Sequence, residues 1–392
     1  MKKLLCFVVS FVTILSYAAI SASAENNSMM PIDVKAKAAL LMDQTTGKVL
    51  MKMNENEKLY PASVTKIMSM LLVAEAIDNN TIKLTDEVTT SANASKKGGS
   101  QIWLKEGETM TVGELLKATA VYSANDACTA LGEYIAGSDE GFVIMMNERA
   151  GELGMKNTHF DNCTGLDDTS KTHLTTAYDI ALMSRELMKH QFIQQYTKIW
   201  MDSLRDGKTE LVNTNKLIRF YEGATGLKTG TTSKAGCCIS ATATRNGTSL
   251  IAVVMGADNS KDRFEGAKAM LSWGFANYET ITPKIDESLI TNVNILMGEE
   301  RVITPQISGN SKFLIPKGKE KNITQEIDLA AVVEAPIESN QTLGIVTVKL
   351  DGQKLGEYKL TATHYVDRLT FKTVFVRIIG SICKPKKTVT VN

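Results

Sequence analysis

Ser63 and Lys66 stand three residues apart in the stretch Pro61-Ala62-Ser63-Val64-Thr65-Lys66-Ile67-Met68. On a helix that spacing sets both side chains on one face and within reach of each other. A serine hydroxyl is a poor nucleophile until a base takes its proton, and a lysine becomes such a base when desolvation or a second cation lowers its pKa. Alone, Ser-x-x-Lys equally describes an N-cap serine with a solvated lysine. Two further groups follow it in the chain: Ser123-x-Asn125, and Lys228-Thr229-Gly230. Each is weak by itself, since small polar residues between helices are often caps; the three in this order are a specific signal.

The elements that must hold these groups follow from periodicity. Val64, Ile67, Met68, Leu71 and Leu72 recur with helical spacing, so a helix starts at the Ser63 motif and runs to about Asp78, where Asn79-Asn80 end it. Met70 and Val73 leave it little polar face, which predicts burial. Upstream, residues 38–43 and 48–52 read as a hairpin turning through Gly47. Downstream, a helical stretch opens at Thr111 and leads into a connection carrying Ser123 and Asn125 before a helix over about 127–135. Helices over 142–153 and 177–190 flank a loop at 154–172 rich in Asn, Asp, Thr and Gly. Thr225 opens a β-branched run bearing Lys228, and 238–244 and 249–255 flank the turn Arg245-Asn246-Gly247-Thr248, a strong hairpin signal. A helix over about 262–278 follows, with Phe264, Ala267, Leu271, Phe275 and Tyr278 on its apolar stripe. Strands at both ends with helices between them predict an α+β domain: one antiparallel sheet covered by helices on its faces.

The remainder bounds the setting. The 392 residues suit about two domains, and a formal net charge of +1 gives no footprint for nucleic acid. Met1-Lys2-Lys3, the apolar run 4–20 and Ala22-Ser23-Ala24 form a secretory signal, with cleavage expected after Ala24. Cys128, Cys163, Cys237, Cys238 and Cys383 remain, an odd number that suits buried small hydrophobes better than a disulfide framework. His159, His173, His190 and His364 form no ligand-spaced motif, so neither a metal site nor a cofactor is expected. Past Pro283 the texture changes to short alternating strands at 291–296, 328–333, 343–350 and 357–363, with a turn at Asp351-Gly352. At the end, Phe371, Val374, Phe375, Ile378, Ile379 and Ile382 form a helical stripe interrupted by Arg368, Lys372 and Arg377 and followed by Lys384, Lys386 and Lys387. That pattern predicts an amphipathic helix lying on a membrane surface. The expected organisation is a signal at 1–24, a catalytic domain at 25–282, a small all-β domain at 283–367 and a membrane-associating tail at 368–392.

With Pro61-Ala62-Ser63-Val64-Thr65-Lys66, Ser123-Ala124-Asn125-Asp126-Ala127 and Gly226-Leu227-Lys228-Thr229-Gly230, the chain resembles the low-molecular-weight penicillin-binding proteins. These are the serine-type D-alanyl-D-alanine carboxypeptidases of the S11 peptidase kind, and the resemblance spans essentially the whole mature chain. It implies a fold like that of β-lactamases and transpeptidases, and removal of terminal D-alanine from peptidoglycan stem peptides ending in D-Ala-D-Ala. It also implies covalent inhibition by β-lactams and work outside the cytoplasmic membrane, at its surface. By the same resemblance Ser63 attacks, Lys66 takes its proton beside the Lys228 charge, and Ser123 bridges the lysines and relays a proton to the leaving amine. Asn125 holds the substrate amide, backbone N–H groups of Ser63 and Thr231 form the oxyanion hole, and Lys228, Thr229, Gly230 and Arg263 belong to the carboxylate-binding side. Cys237 departs from the family pattern, standing where tyrosine is common, and Cys128 replaces a small apolar residue. No Glu-x-x-Leu-Asn phrase lies between Leu153 and Asp179, which argues against a β-lactamase and for a peptidase that penicillin acylates and leaves slowly. A D,D-endopeptidase would use the same constellation.

Overall fold

The computed structural model describes residues 30–167, 170–309 and 312–382; the expected signal, Cys383 and the three tail lysines lie outside them. Alternating and β-branched runs form a five-stranded antiparallel sheet from β1 (Ala38–Asp43), β2 (Val49–Met53), β3 (Ala224–Thr232), β4 (Gly236–Arg245) and β5 (Thr248–Ala257). Its spatial order is β2-β1-β5-β4-β3, so the two ends of the domain are zipped together through β1 and β5. The β4–β5 turn uses Asn246 and Gly247, both at positive φ, the backbone that a two-residue hairpin requires.

Helices cover both faces of the sheet. On one lie α1 (Lys66–Asp78), α2 (Asn125–Ala136), α3 (Asp139–Glu152) and α4 (Ala177–Leu187), sharing a core with alternate strand residues such as Leu40, Met42 and Val253. On the other lies α5 (Ser260–Asn277), whose Ala267, Met270 and Leu271 meet Leu41, Ile239 and Val254. Ile67, Met68 and Leu71 of α1 are wholly buried. Truncating one of them to alanine would cost about 2–5 kcal/mol. A helix this deep is held by its neighbours on every side, which fixes whatever its first turn carries.

The second module contains a four-stranded sheet, Ile323–Leu329, Thr342–Leu350, Gln353–Thr361 and Gln306–Ser308, and a three-stranded sheet built on Val293–Leu296. The strand Tyr278–Ile281, ahead of Pro283, pairs with Phe313–Pro316 of this module, and Leu314 sits in the α5-side core. Helix α6 (Phe371–Ile382) ends the described chain.

Sequence patterning misses some elements. A hairpin of Met201–Leu204 with Thr209–Val212 falls in a stretch without clear alternation, and the strands near 302–316 are two to four residues long. Helix α2 begins at Asn125, two residues earlier than its apolar period suggests. The reason is long-range, because Asn125 N donates to Ser100 O at 2.7 Å and so opens the helix without a local cap.

Candidate active site

Ser63 lies in the 3-10 turn Ala62–Thr65, which Pro61 introduces and which runs directly into α1. Ala62 has φ +49, a left-handed conformation that a non-glycine residue adopts only when its surroundings impose it. Two glycines admit the constraint. A Cβ on Gly230 of β3 would lie 2.8 Å from Pro61 O and Ser63 N, and one on Gly165 would lie 1.9 Å from Ala62 O. Only bare backbone fits on both sides, so β3 and loop 161–167 press directly against the serine turn.

Lys66 Nζ donates to Ser63 Oγ at 3.1 Å and to Thr164 O at 2.8 Å. Burial pushes its pKa from 10.5 down to about 8, against the upward pull of Cys128, Cys163 and Asp126. Burial, then the Lys66 and Arg263 charges, hold Lys228 well below the ordinary lysine range. For both lysines desolvation is the largest cause, and the two buried cations also repel each other. Lys228 Nζ donates to Thr229 O at 3.0 Å.

Ser123 closes the π turn Ala118–Tyr122 in a left-handed conformation, φ +66, and is 4% exposed. Its Oγ has no hydrogen-bond partner among the described residues, so the expected bridge between the lysines is not formed in the resting site. Catalytic hydrogen bonds commonly tighten only once substrate fills the space between their groups. Asn125 Nδ2 donates to Gly98 O at 2.6 Å, while its Oδ1 is buried without a partner among the described residues.

Thr229 Oγ1 donates to Thr214 Oγ1 at 2.7 Å. Arg263, 6% exposed, does not offer an open fork. Its Nη1 donates to Gly230 O (3.1 Å), Thr231 Oγ1 (3.0 Å) and Cys238 O (3.3 Å), its Nη2 to Ser260 Oγ (3.0 Å), and its guanidinium stacks on Phe264. The guanidinium thus fastens Gly230 and Thr231 in place and brings a positive charge behind them. Thr231 Oγ1 also approaches Cys237 Sγ at 3.8 Å.

Sequence reasoning left several supporting residues unmarked. Thr164 supplies the second acceptor of Lys66, in a loop that Asn162 shapes by accepting from Thr164 N and Gly165 N. His173 Nδ1 accepts from Asp161 N at 3.0 Å, and its Nε2 lies 2.8 Å from Thr65 Oγ1, which itself donates to Ala62 O. An imidazole protonated at Nε2 satisfies every bond in that chain, and burial pushes the His173 pKa down to about 4. Asp126 takes Ile102 N and Leu104 N on its wholly buried carboxylate. The Asn- and Gly-rich texture of 154–172, and an Asp directly after Asn125, were the available signals.

A half-buried serine beside a fully buried lysine, packed against a five-stranded antiparallel sheet and followed by a separate β module, is the penicillin-binding protein architecture. Penicillin-binding protein 5 of Haemophilus influenzae superposes with a TM-score of 0.74 at 30% identity, over 86% of this chain and 99% of that one. Penicillin-binding protein 3 of Streptococcus pneumoniae gives 0.72 at 26%, over 86% and 100%. In sequence, the D-alanyl-D-alanine carboxypeptidase DacF of Bacillus subtilis is 41% identical over 98% of this chain and 100% of its own length. DacC of Escherichia coli is 34% identical over 90% and 89%. Residues 23–259 match the D-alanyl-D-alanine carboxypeptidase family profile and 278–368 that of the penicillin-binding protein 5 C-terminal domain. The chain belongs to the D-alanyl-D-alanine carboxypeptidase family, the S11 serine peptidases, and is an enzyme of that activity. Penicillin-binding protein D2 of Listeria monocytogenes, 30% identical with a TM-score of 0.58 over 63% of this chain and 100% of that one, has been solved with ampicillin bound.

Proposed function

We propose that Ser63 is the nucleophile of this carboxypeptidase and that its substrate is a peptidoglycan stem peptide ending in D-Ala-D-Ala. The observation that carries the reading is the 3.1 Å contact between Ser63 Oγ and a fully buried Lys66 whose pKa lies near 8. Lys66 accepts the Ser63 proton as Oγ bonds to the carbonyl carbon of the penultimate D-alanine. The developing oxyanion is met by the backbone N–H groups of Ser63 and Thr231, each worth about 3–4 kcal/mol in the transition state. Collapse breaks the C–N bond, and Ser123 passes a proton to the departing amine of D-alanine. Water then cleaves the Ser63 ester by the reverse route. Asn125 holds the peptide amide, and Lys228, Thr229 and Thr231 take the terminal carboxylate over the Gly230 backbone, with the Arg263 charge behind them. A β-lactam follows the same first step and stays as an ester on Ser63.

The same reading covers the setting. Residues 1–24 direct export, residues 25–282 form the catalytic unit, residues 283–367 space it from the bilayer, and residues 368–392 lie on the membrane surface. Support for the last point is the outward face of α6, where Phe371 is 85% and Phe375 54% exposed. Its Thr373 instead turns to Glu299 of the β module, at 3.1 Å. Among the described residues no helix is long and apolar enough to cross a membrane, so the stripe suits lying in the interface.

The test is Ser63→Ala, assayed for free D-alanine from a D-Ala-D-Ala peptide and for covalent labelling by a fluorescent penicillin. Both are lost together. Persistent labelling would place the nucleophile elsewhere.

A further inference from the structure

Among the described residues of the catalytic domain, Trp103 is the most exposed large hydrophobic one, at 75%. Its φ is +59, a left-handed backbone that bulky side chains avoid and that glycine or asparagine would accept freely. Both flanks are clamped. Ile102 and Leu104 are buried, and their N–H groups donate to the Asp126 carboxylate at 3.1 and 3.0 Å. A loose surface turn needs no such anchoring, and the anchoring turns one indole outward and keeps it there.

The ring faces a groove of about 740 Å³ between residues 102–108 and the hairpin 201–212. Arg205 spans its base, donating to Ile102 O (2.8 Å), Glu108 Oε1 (2.6 Å) and Thr209 Oγ1 (2.9 Å), so the two walls are tied together. Lys105, Glu106 and Lys208 form an exposed polar rim. The segment leading into Trp103 is tied to the site residue Asn125, whose Nδ2 donates to Gly98 O and whose backbone N–H donates to Ser100 O. A rigid aromatic face flanked by hydrogen-bonding side chains in an open groove suits a ring with an apolar C–H face and polar edges. A pyranose has that shape.

We propose that this groove binds an N-acetylated sugar of the glycan from which the stem peptide hangs, with the Trp103 indole as its stacking platform. The inference rests on the stem-peptide reading above, and Trp103 touches no reacting atom. It acts as a specificity residue, favouring a peptide that arrives with its sugar.

The experiment compares two soluble substrates with the same D-Ala-D-Ala stem, one a free pentapeptide and one carried on the N-acetylglucosaminyl-N-acetylmuramoyl disaccharide. The readout is the ratio of their kcat/KM values in the wild type, Trp103→Ala and Trp103→Phe. The wild type favours the sugar-bearing substrate by about fivefold or more, Trp103→Ala brings the ratio near one, and Trp103→Phe keeps most of it. A wild-type ratio near one, or an unaltered ratio in Trp103→Ala, overturns the proposal while leaving the carboxypeptidase reading intact. Cleavage of neither substrate by the wild type sinks that reading, and the sugar site with it. The rate of β-lactam acylation, measured on each variant, separates a lost sugar contact from a displaced loop, and a displaced loop counts against the proposal.

Discussion

Two buried lysines near one serine set the residue-scale chemistry. With a pKa near 8, Lys66 is deprotonated in roughly a tenth of molecules at pH 7 and in most at pH 9. Acylation by a β-lactam therefore rises with pH through about 8, and stopped-flow rates across pH 6–10 report it. Lys66→Arg keeps the charge but does not deprotonate, so acylation falls on the order of 10²–10⁴-fold and the pH step disappears. A near-wild-type rate in that variant would remove Lys66 as the base. Arg263 sits differently, since its Nη1 and Nη2 are engaged by Gly230, Thr231, Cys238 and Ser260. If its charge reaches the substrate carboxylate, Arg263→Ala loses far more on a free-acid peptide than on the amidated one. Equal losses on the two would show that it only braces Thr231.

At the scale of elements, the serine turn is held from two sides by backbone and from below by a histidine. His173 joins loop 161–167 to the turn through Asp161 N, Thr65 Oγ1 and Ala62 O. Its pKa of about 4 is below the unfolded value of 6.5, because burial outweighs the nearby Asp161 and Asp167 carboxylates, with His159 and Lys66 adding to the depression. The sign follows from proton counts. Between those values the unfolded chain binds the proton and the native one does not, so stability falls as pH drops from about 6.5 toward 4. A depression of this size amounts to about 3 kcal/mol at most. His173→Gln shallows that acid slope in urea unfolding and also slows acylation, since Thr65 and Ala62 lose their tether. An unchanged slope would mean that other groups carry the acid sensitivity.

For the whole molecule, the active site is assembled entirely from residues before α5 ends, while the exposed apolar face of α6 lies beyond the β module. Truncation after Asp367 should leave turnover of a short peptide unchanged and release the enzyme from anionic vesicles. In that proposal apolar burial would supply most of the affinity, with each basic residue near an anionic surface adding about 1 kcal/mol. Co-sedimentation at low and high salt reads both parts. Equal pelleting of the two forms would mean that α6 is docked on protein rather than lipid.

Much of this was legible in the chain itself. Helical spacing from Val64 to Leu72, the Asn246-Gly247 turn and the stripe from Phe371 to Ile382 are local patterns, and local patterns specify elements because they depend only on which face is apolar. The three short motifs were readable for the same reason, each lying within a few residues. What tertiary structure alone decided is which groups meet. Lys66 finds a carbonyl 98 residues away at Thr164, β3 passes the serine turn only because Gly230 lacks a Cβ, and Asn125 opens α2 on the carbonyl of Ser100. Desolvation of Lys66 likewise exists only once the helices and the sheet close around it. Spacing along the chain can nominate a base, but the burial that makes it one is a property of the folded interior.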